Sequence, residues 1–314
     1  MIRLVARRLL LAIPLLLLVT FTVFGLVSLA PGDPAYVLAG DNPTPERVAE
    51  IRKELHLDDS LAARYGHWVS RAVHGDLGTS LVNRNTTVGT ILKNKIPTTL
   101  SIAALGIVIS TVVALLLAIA SARKHGGIID RASTIVSSMA IAVPPFWLGL
   151  LLIYGFAIRF SWFPAVGYRP IRDGVGPWFK SILMPAVALG AVPGAELTLQ
   201  LKAALNEVMG RDYILTADAK GLRRNQVIVK HALKNAAVPV VTVLGFRIAQ
   251  ILAGAASIEF IFNIRGLGWV IYESAIGRDL PVLVGIVACS TLLVIAVNTL
   301  VDISYGYFNP KVRT

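Results

Sequence analysis

The sequence predicts an all-α polytopic membrane protein with six transmembrane helices and a polar segment after the first of them. Composition is the first reason: 55% of residues are hydrophobic, 15% are charged, and the mean hydropathy is +0.69. Such a balance overrules the one or two soluble domains that 314 residues would otherwise suggest. The second reason is the presence of several uninterrupted apolar runs longer than about 18 residues, the length a helix needs to cross hydrocarbon. The third is the placement of the basic residues, which crowd one side of the predicted spans.

In chain order, Arg3, Arg7 and Arg8 precede an apolar run over 9–30. This run is about twice the core of a signal peptide, and Pro31 directly follows Ser28-Leu29-Ala30, the one small-residue site, so residues 1–30 are read as a retained first span. PGDPA then ends the helix, because prolines remove donors and Gly32 permits a turn. Residues 31–96 form the one sizeable polar segment, with eight acidic and eight basic side chains. Val48, Ile51 and Leu55 predict an amphipathic helix over 45–55; Tyr65, Trp68 and Val69 predict another over 61–73. HGDLGTSL (74–81) reads as a turn-rich strip. His56, His67 and His74 have no metal-ligand spacing and are read as solvated or packed.

Residues 97–314 hold the other five spans. The second covers 100–122, entered through Pro97. The third covers about 132–158 with Pro144 and Pro145 inside it, which frees carbonyls and points to a cavity or hinge. Trp162 and Trp178 flank the loop 161–180 as an interfacial belt would. The fourth span covers 182–202, broken by Pro185 and Pro193; the fifth covers 236–258. Residues 260–281 are a semi-polar re-entrant or surface segment, and 282–305 are the sixth span.

Six spans place both termini on one side, and charge selects that side. The terminal side carries 15 of the 30 Lys and Arg residues against 4 acids, a net of 15 − 4 = +11 out of the chain's +12. The two short opposite loops carry six, and 31–96 is too long to enter the orientation rule. Both termini are therefore expected in the cytoplasm of a cell-membrane protein. The basicity belongs to topology and anionic headgroups, and no aromatic-interleaved basic groove supports a nucleic-acid partner.

Several chemistries lack their motifs. There is no GxxxxGK[ST] for ATP, no GxSxG, no HExxH, and Cys289 is the only cysteine, so neither a catalytic role nor a metal or cofactor is expected of this chain. Four ionisable residues fall inside spans: Glu196, Arg247, Glu259 and Asp302. Glu259 and Asp302 lie near span ends, where they reach water. Arg247 lies about 16 Å into the fifth span, at a depth where a permanent cation needs a carboxylate or a water-filled cavity. Glu196, at similar depth on the fourth span, is its nearest candidate partner. The pair either ties two helices or lines a translocation path.

The polar stretch within about 203–236 is the other candidate site. Residues 214–220 read as a two-turn helix that Gly221 ends as a C-terminal cap, and Asn225 reads as the N-cap of a second helix reaching Ala236. Ala217 and Gly221, four apart, would leave one face nearly free of side chains for a partner to approach.

YILTADAKGL followed by HALKNAAVPVVT resembles the coupling loop of ABC importer permeases of the dipeptide/oligopeptide/nickel family. The matching positions are Tyr213, Ala217, Ala219, Gly221, Leu222, His231, Ala232, Leu233, Asn235 and Pro239, whereas Leu215 and Asp218 stand where that family commonly has basic residues. RRLLLAIPLL with PGDPA, GDLGTSL, Glu259, Phe262 and Gly266–Gly268 with RDLPV, and Asn298, Asp302 and Tyr305 with NPKVR extend the resemblance over nearly the whole chain. Arg265 replaces a more usual proline, and Asn309 an aspartate. The resemblance implies the type I importer permease fold, with 31–96 extracytoplasmic. It also implies a second homologous permease, two cytoplasmic ATPase subunits docked on the coupling loops, and an extracytoplasmic substrate-binding protein. Dipeptides or oligopeptides are the implied cargo, with nickel chelates, haem and glutathione carried by relatives. A polytopic membrane enzyme would need a nucleophile or metal set beside Glu196 and Arg247, and a proton-coupled transporter would show inverted repeats; neither is visible.

Overall fold

The structure is a computed structural model that describes residues 2–29, 33–39, 43–54, 56–83 and 85–308. Helices in chain order are α1 (Ile2–Leu29), α2 (Pro34–Ala39), α3 (Pro45–Glu54), α4 (Leu61–Val73), α5 (Val88–Arg123), α6 (Ile128–Ala142), α7 (Pro145–Leu152), α8 (Val175–Met209), α9 (Asp212–Ala219), α10 (Arg224–Gln226), α11 (Leu233–Ile261), α12 (Leu267–Ile276) and α13 (Leu280–Phe308). Among the described residues no strand forms, only an isolated antiparallel bridge between Thr79 and Thr87. The Pro31–Gly32 turn, Leu55 and the tail 309–314 lie outside the described residues, as do the side chains of Asp218, Pro239, Asp302 and Tyr305.

Four helical segments among the described residues are long and apolar enough to cross a membrane: Leu10–Leu29, Val88–Arg123, Val175–Met209 and Leu280–Leu300. A fifth candidate is the pair Ile128–Ala142 and Pro145–Arg159, bent by 105°. The third span, expected to carry a cavity or hinge at Pro144 and Pro145, is broken there. Proline at 145 restricts Pro144 to extended backbone (φ −60°, ψ 137°), and Pro145 then opens α7 where its missing N–H is not needed. A π-helical turn, Ile153–Arg159, continues α7. The fourth span behaves in the opposite way: Pro185 and Pro193 lie inside the 35-residue α8, which runs unbroken through both.

The chain divides into two compact units. One comprises residues 1–5, 98–265 and 296–314. Here α5, α8 and α11 bury Ile102, Ile182, Leu189, Ile251 and Ile258 together with Phe262. The α5–α8 contact is closer than side chains normally allow: a Cβ at Gly190 would lie 2.6 Å from the Gly106 carbonyl oxygen. Apolar lipid offers little drive for helices to associate, so such backbone contact between small residues supplies the packing.

The other unit comprises residues 6–97 and 266–295. Ser60 caps α4, accepting from Ala63 N at 3.3 Å, and α4 turns Trp68 onto Phe24, Val284 and Ala288. Tyr65 Oη and Thr20 Oγ1 lie 2.7 Å apart, and Tyr65 Oη also donates to Leu17 O at 2.9 Å. Val48 and Ile51 are buried as the amphipathic reading of α3 requires. Asp279 accepts from Ser80 Oγ and, at 3.0 Å, from Leu81 N, which fastens the 74–81 strip to the start of α13.

Candidate functional site: the loop helix and the midspan ion pair

The loop helix α9 starts at Asp212, two residues before its expected start, and its capping follows the sequence. Gly221 adopts φ +75°, and Leu222 N donates to Ala217 O at 3.4 Å, the long bond of a Schellman cap. This cap is also why the expected small face does not exist. The four-residue rule holds only while both positions are helical, and Gly221 has already left the helix. Ala217 instead points inward. With Ile214 it packs on Ala118, Ala122, Leu201, Leu205, Val227, Ile228, Ala232 and Ala236. Solvent meets Leu215, Thr216, Ala219, Gly221 and Leu222, and nothing lies within 4 Å of a Cβ built on Gly221.

The segment after the cap also differs from expectation. Asn225 is not an N-cap; Arg223 holds that position with extended backbone (φ −63°, ψ 138°) and makes no side-chain cap bond. From α10 the chain runs through a π-helical turn, Val227–Ala232, directly into α11. Asn235 Nδ2 donates to Tyr213 Oη at 3.0 Å and to His231 O at 3.1 Å, joining the two sides of the loop. His231 is half-buried.

Lys202 was legible only as one more charge on the basic side, yet it is buried beneath this loop helix's packing neighbours Leu201 and Leu205. Its Nζ lies 2.7 Å from Asp130 Oδ1 and donates to Asp130 O (2.7 Å), Ser133 Oγ (2.9 Å) and Thr134 Oγ1 (2.6 Å). Asp130 in turn accepts from Gly126 N at 2.9 Å. A buried ammonium needs this degree of satisfaction. No local pattern links positions 130 and 202, so sequence reading had no signal for it.

Arg247 is the central residue of the 29-residue α11. Its Nη1 lies 2.7 Å from Glu196 Oε2 on α8 and donates to Gln250 Oε1 at 2.8 Å. Both charged side chains are 22% exposed. Gln200 follows Glu196 by one turn, and its Oε1 is buried without a hydrogen-bond partner among the described residues, as is Arg247 Nε. From Arg247 onward the exposed positions of α11 are Gln250, Ala253, Ala256, Ser257 and Phe260, a face of small and polar groups with one ring at its end. Glu259 corrects its expectation: it is fully buried, without access to water, and accepts from Thr99 Oγ1. No group of three His, Cys, Asp or Glu side chains among the described residues is placed to hold a metal ion.

Residues 110–314 match the family described as binding-protein-dependent transport system inner membrane component, and residues 1–103 match the N-terminal family of the same membrane components. Over 309 residues the chain is 35% identical to the "Probable peptide ABC transporter permease protein y4tP" of Sinorhizobium fredii, covering 98% of each. It is 33% identical over 337 residues to the dipeptide transport system permease protein DppB of Escherichia coli, covering 100% of this chain and 99% of that one. It is 31% identical over 311 residues to the oligopeptide transport system permease protein AppB of Bacillus subtilis, covering 98% of each. Among solved structures, the inward-facing MetNI methionine ABC transporter superposes with a TM-score of 0.54 at 19% identity, over 70% of this chain and 96% of that chain. That likeness speaks to the fold.

Proposed function

The chain belongs to the family of binding-protein-dependent transport system inner membrane components, and we propose that it is a permease subunit of an ATP-driven importer of dipeptides or oligopeptides. The observation that carries the reading is the face of α11: an Arg247–Glu196 ion pair at the helix centre, continued by Gln250, Ala253, Ala256 and Ser257. Charge at mid-helix is costly against lipid tails and belongs on a water-filled path or against another subunit. Counting α11 as a span and the bent α6–α7 pair as one gives six crossings, with both termini cytoplasmic, in the inner membrane. The 31–96 segment is extracytoplasmic and helps to receive the substrate-binding protein.

Two ATPase subunits drive the cycle, one of them through the 203–236 loop of this chain. The surface offered to it is Leu215, Ala219, Gly221 and Leu222, while Ala217 holds the helix from beneath and the Tyr213–Asn235 bond, with His231, sets its angle. A second, homologous permease completes the path. The experiment is ATP-dependent uptake of labelled dipeptides into proteoliposomes holding the complete complex. Uptake is expected to require both ATPase subunits and a loaded binding protein. Uptake that persists without the ATPases, or none for any di- or oligopeptide, contradicts the reading.

A further inference from the structure

We infer that Arg247 and Glu196 form the binding site for the two charged ends of a zwitterionic peptide, with the internal ion pair opening as the peptide's termini replace it. The inference rests on the peptide-import reading above. In the closed pair each charge answers the other at 2.7 Å. In the open pair the guanidinium takes the peptide carboxylate, and Glu196 takes the peptide ammonium. One ion pair becomes two, and no charge is left without a counter-charge, as would follow from binding a ligand with only one charged end.

Three features of the site suit this exchange. An extended dipeptide separates its termini by about 7 Å, a gap that the long arginine stem opens by rotamer change. Hydrogen-bonding groups flank the charges: Gln250 Oε1 already holds Nη1 at 2.8 Å, and both Gln200 Oε1 and Arg247 Nε are buried with no hydrogen-bond partner among the described residues. An acceptor on Gln200 and a donor on Arg247 are thus the hydrogen-bonding capacity that a ligand's amide or carboxylate would engage beside the ion pair. The pair also lies at the edge of an open face, with both side chains still partly exposed. A pair serving only to tie α8 to α11 gains nothing from that exposure and could be replaced by apolar groups.

The test uses the complex of this chain with its second permease and ATPase subunits, in nanodiscs and without the binding protein, whose own preference for peptide termini would obscure the result. Saturation-transfer NMR compares dialanine with N-acetyl-dialanine amide, the same backbone with both charges removed. Dialanine is expected to bind the wild-type complex at least tenfold more tightly than the blocked form. In Arg247→Gln/Glu196→Gln, which keeps side-chain length and hydrogen bonding, the preference is expected to fall to within about twofold. Equal binding of the two ligands by the wild-type complex overturns the inference without any variant. So does a double variant that assembles, retains basal ATPase activity and keeps the tenfold preference. A complete wild-type system that takes up no peptide would instead place the failure in the import reading.

Discussion

Helices α1 and α11 are of nearly equal length, 28 and 29 residues, yet the side chains they leave exposed have opposite chemistry. Past Arg8, the exposed positions of α1 are almost all large and apolar, among them Leu10, Leu11, Ile13, Leu18, Phe21 and Leu26, with Leu18 at 64% and Thr22 the one exposed hydroxyl. On α11, from Arg247 onward, they are Gln250, Ala253, Ala256, Ser257 and Phe260. An α1-type face dissolves in lipid tails, which need no partner for it. An α11-type face replaces large aliphatic side chains with small residues, an amide that accepts from Arg247 and a hydroxyl that donates to Gly254 O, and it runs beside a permanent cation at the helix centre. Mean hydropathy along either helix conceals this difference, and exposure residue by residue brings it out.

The largest expected effect comes from breaking the polar face. Arg247→Ala leaves Glu196, only 22% exposed, without its cation, which costs about 3 kcal/mol or more. Thermal unfolding of the purified complex should show that loss, and peptide uptake should fall with it. The reciprocal change places a charge on the lipid-type face: Leu18→Arg, near the middle of α1, should cost about 3 kcal/mol, read as reduced membrane insertion. Should Leu18→Arg prove harmless, α1 does not expose that side to lipid. The smallest stability effect sharpens the contrast. Ala253→Leu adds bulk on an exposed position and should change stability by no more than about 0.5 kcal/mol. Uptake should nevertheless fall several-fold in transport assays if the added side chain narrows the proposed path; unchanged uptake would mean that position 253 does not line it.

Much of this architecture is legible in the residues, and the departures have identifiable physical causes. Apolar runs locate the long helices because hydrocarbon thickness sets their length. Depth made Glu196 the candidate partner of Arg247, with a water-filled cavity as the other answer to a permanent cation at mid-helix, and the structure joins the two at 2.7 Å. The left-handed cap at Gly221 was legible because glycine is the residue that adopts φ +75° without strain. The orientation of Ala217 was not, because the same cap takes Gly221 out of helical register. The two proline readings had opposite outcomes: the hinge expected at Pro144–Pro145 is there, and the break expected at Pro185 and Pro193 is not. Tandem Pro144–Pro145 breaks a helix by 105°, whereas Pro185 and Pro193, separated by full turns, each forgo a single hydrogen bond inside the continuous α8. The four oxygens around Lys202 and the burial of Glu259 on Thr99 come from elements far apart in the chain, which no local pattern encodes.

The central claim is that the exposed face of α11 meets water while that of α1 meets lipid, and thiol accessibility tests it most directly. In a complex whose Cys289 is replaced by Ser, single Ala253→Cys and Leu18→Cys variants are treated with a charged, membrane-impermeant maleimide from each side of the bilayer. The account predicts that Ala253→Cys is labelled during ATP-driven transport and that Leu18→Cys is not. Labelling of Leu18→Cys with Ala253→Cys left untouched throughout the cycle would contradict it.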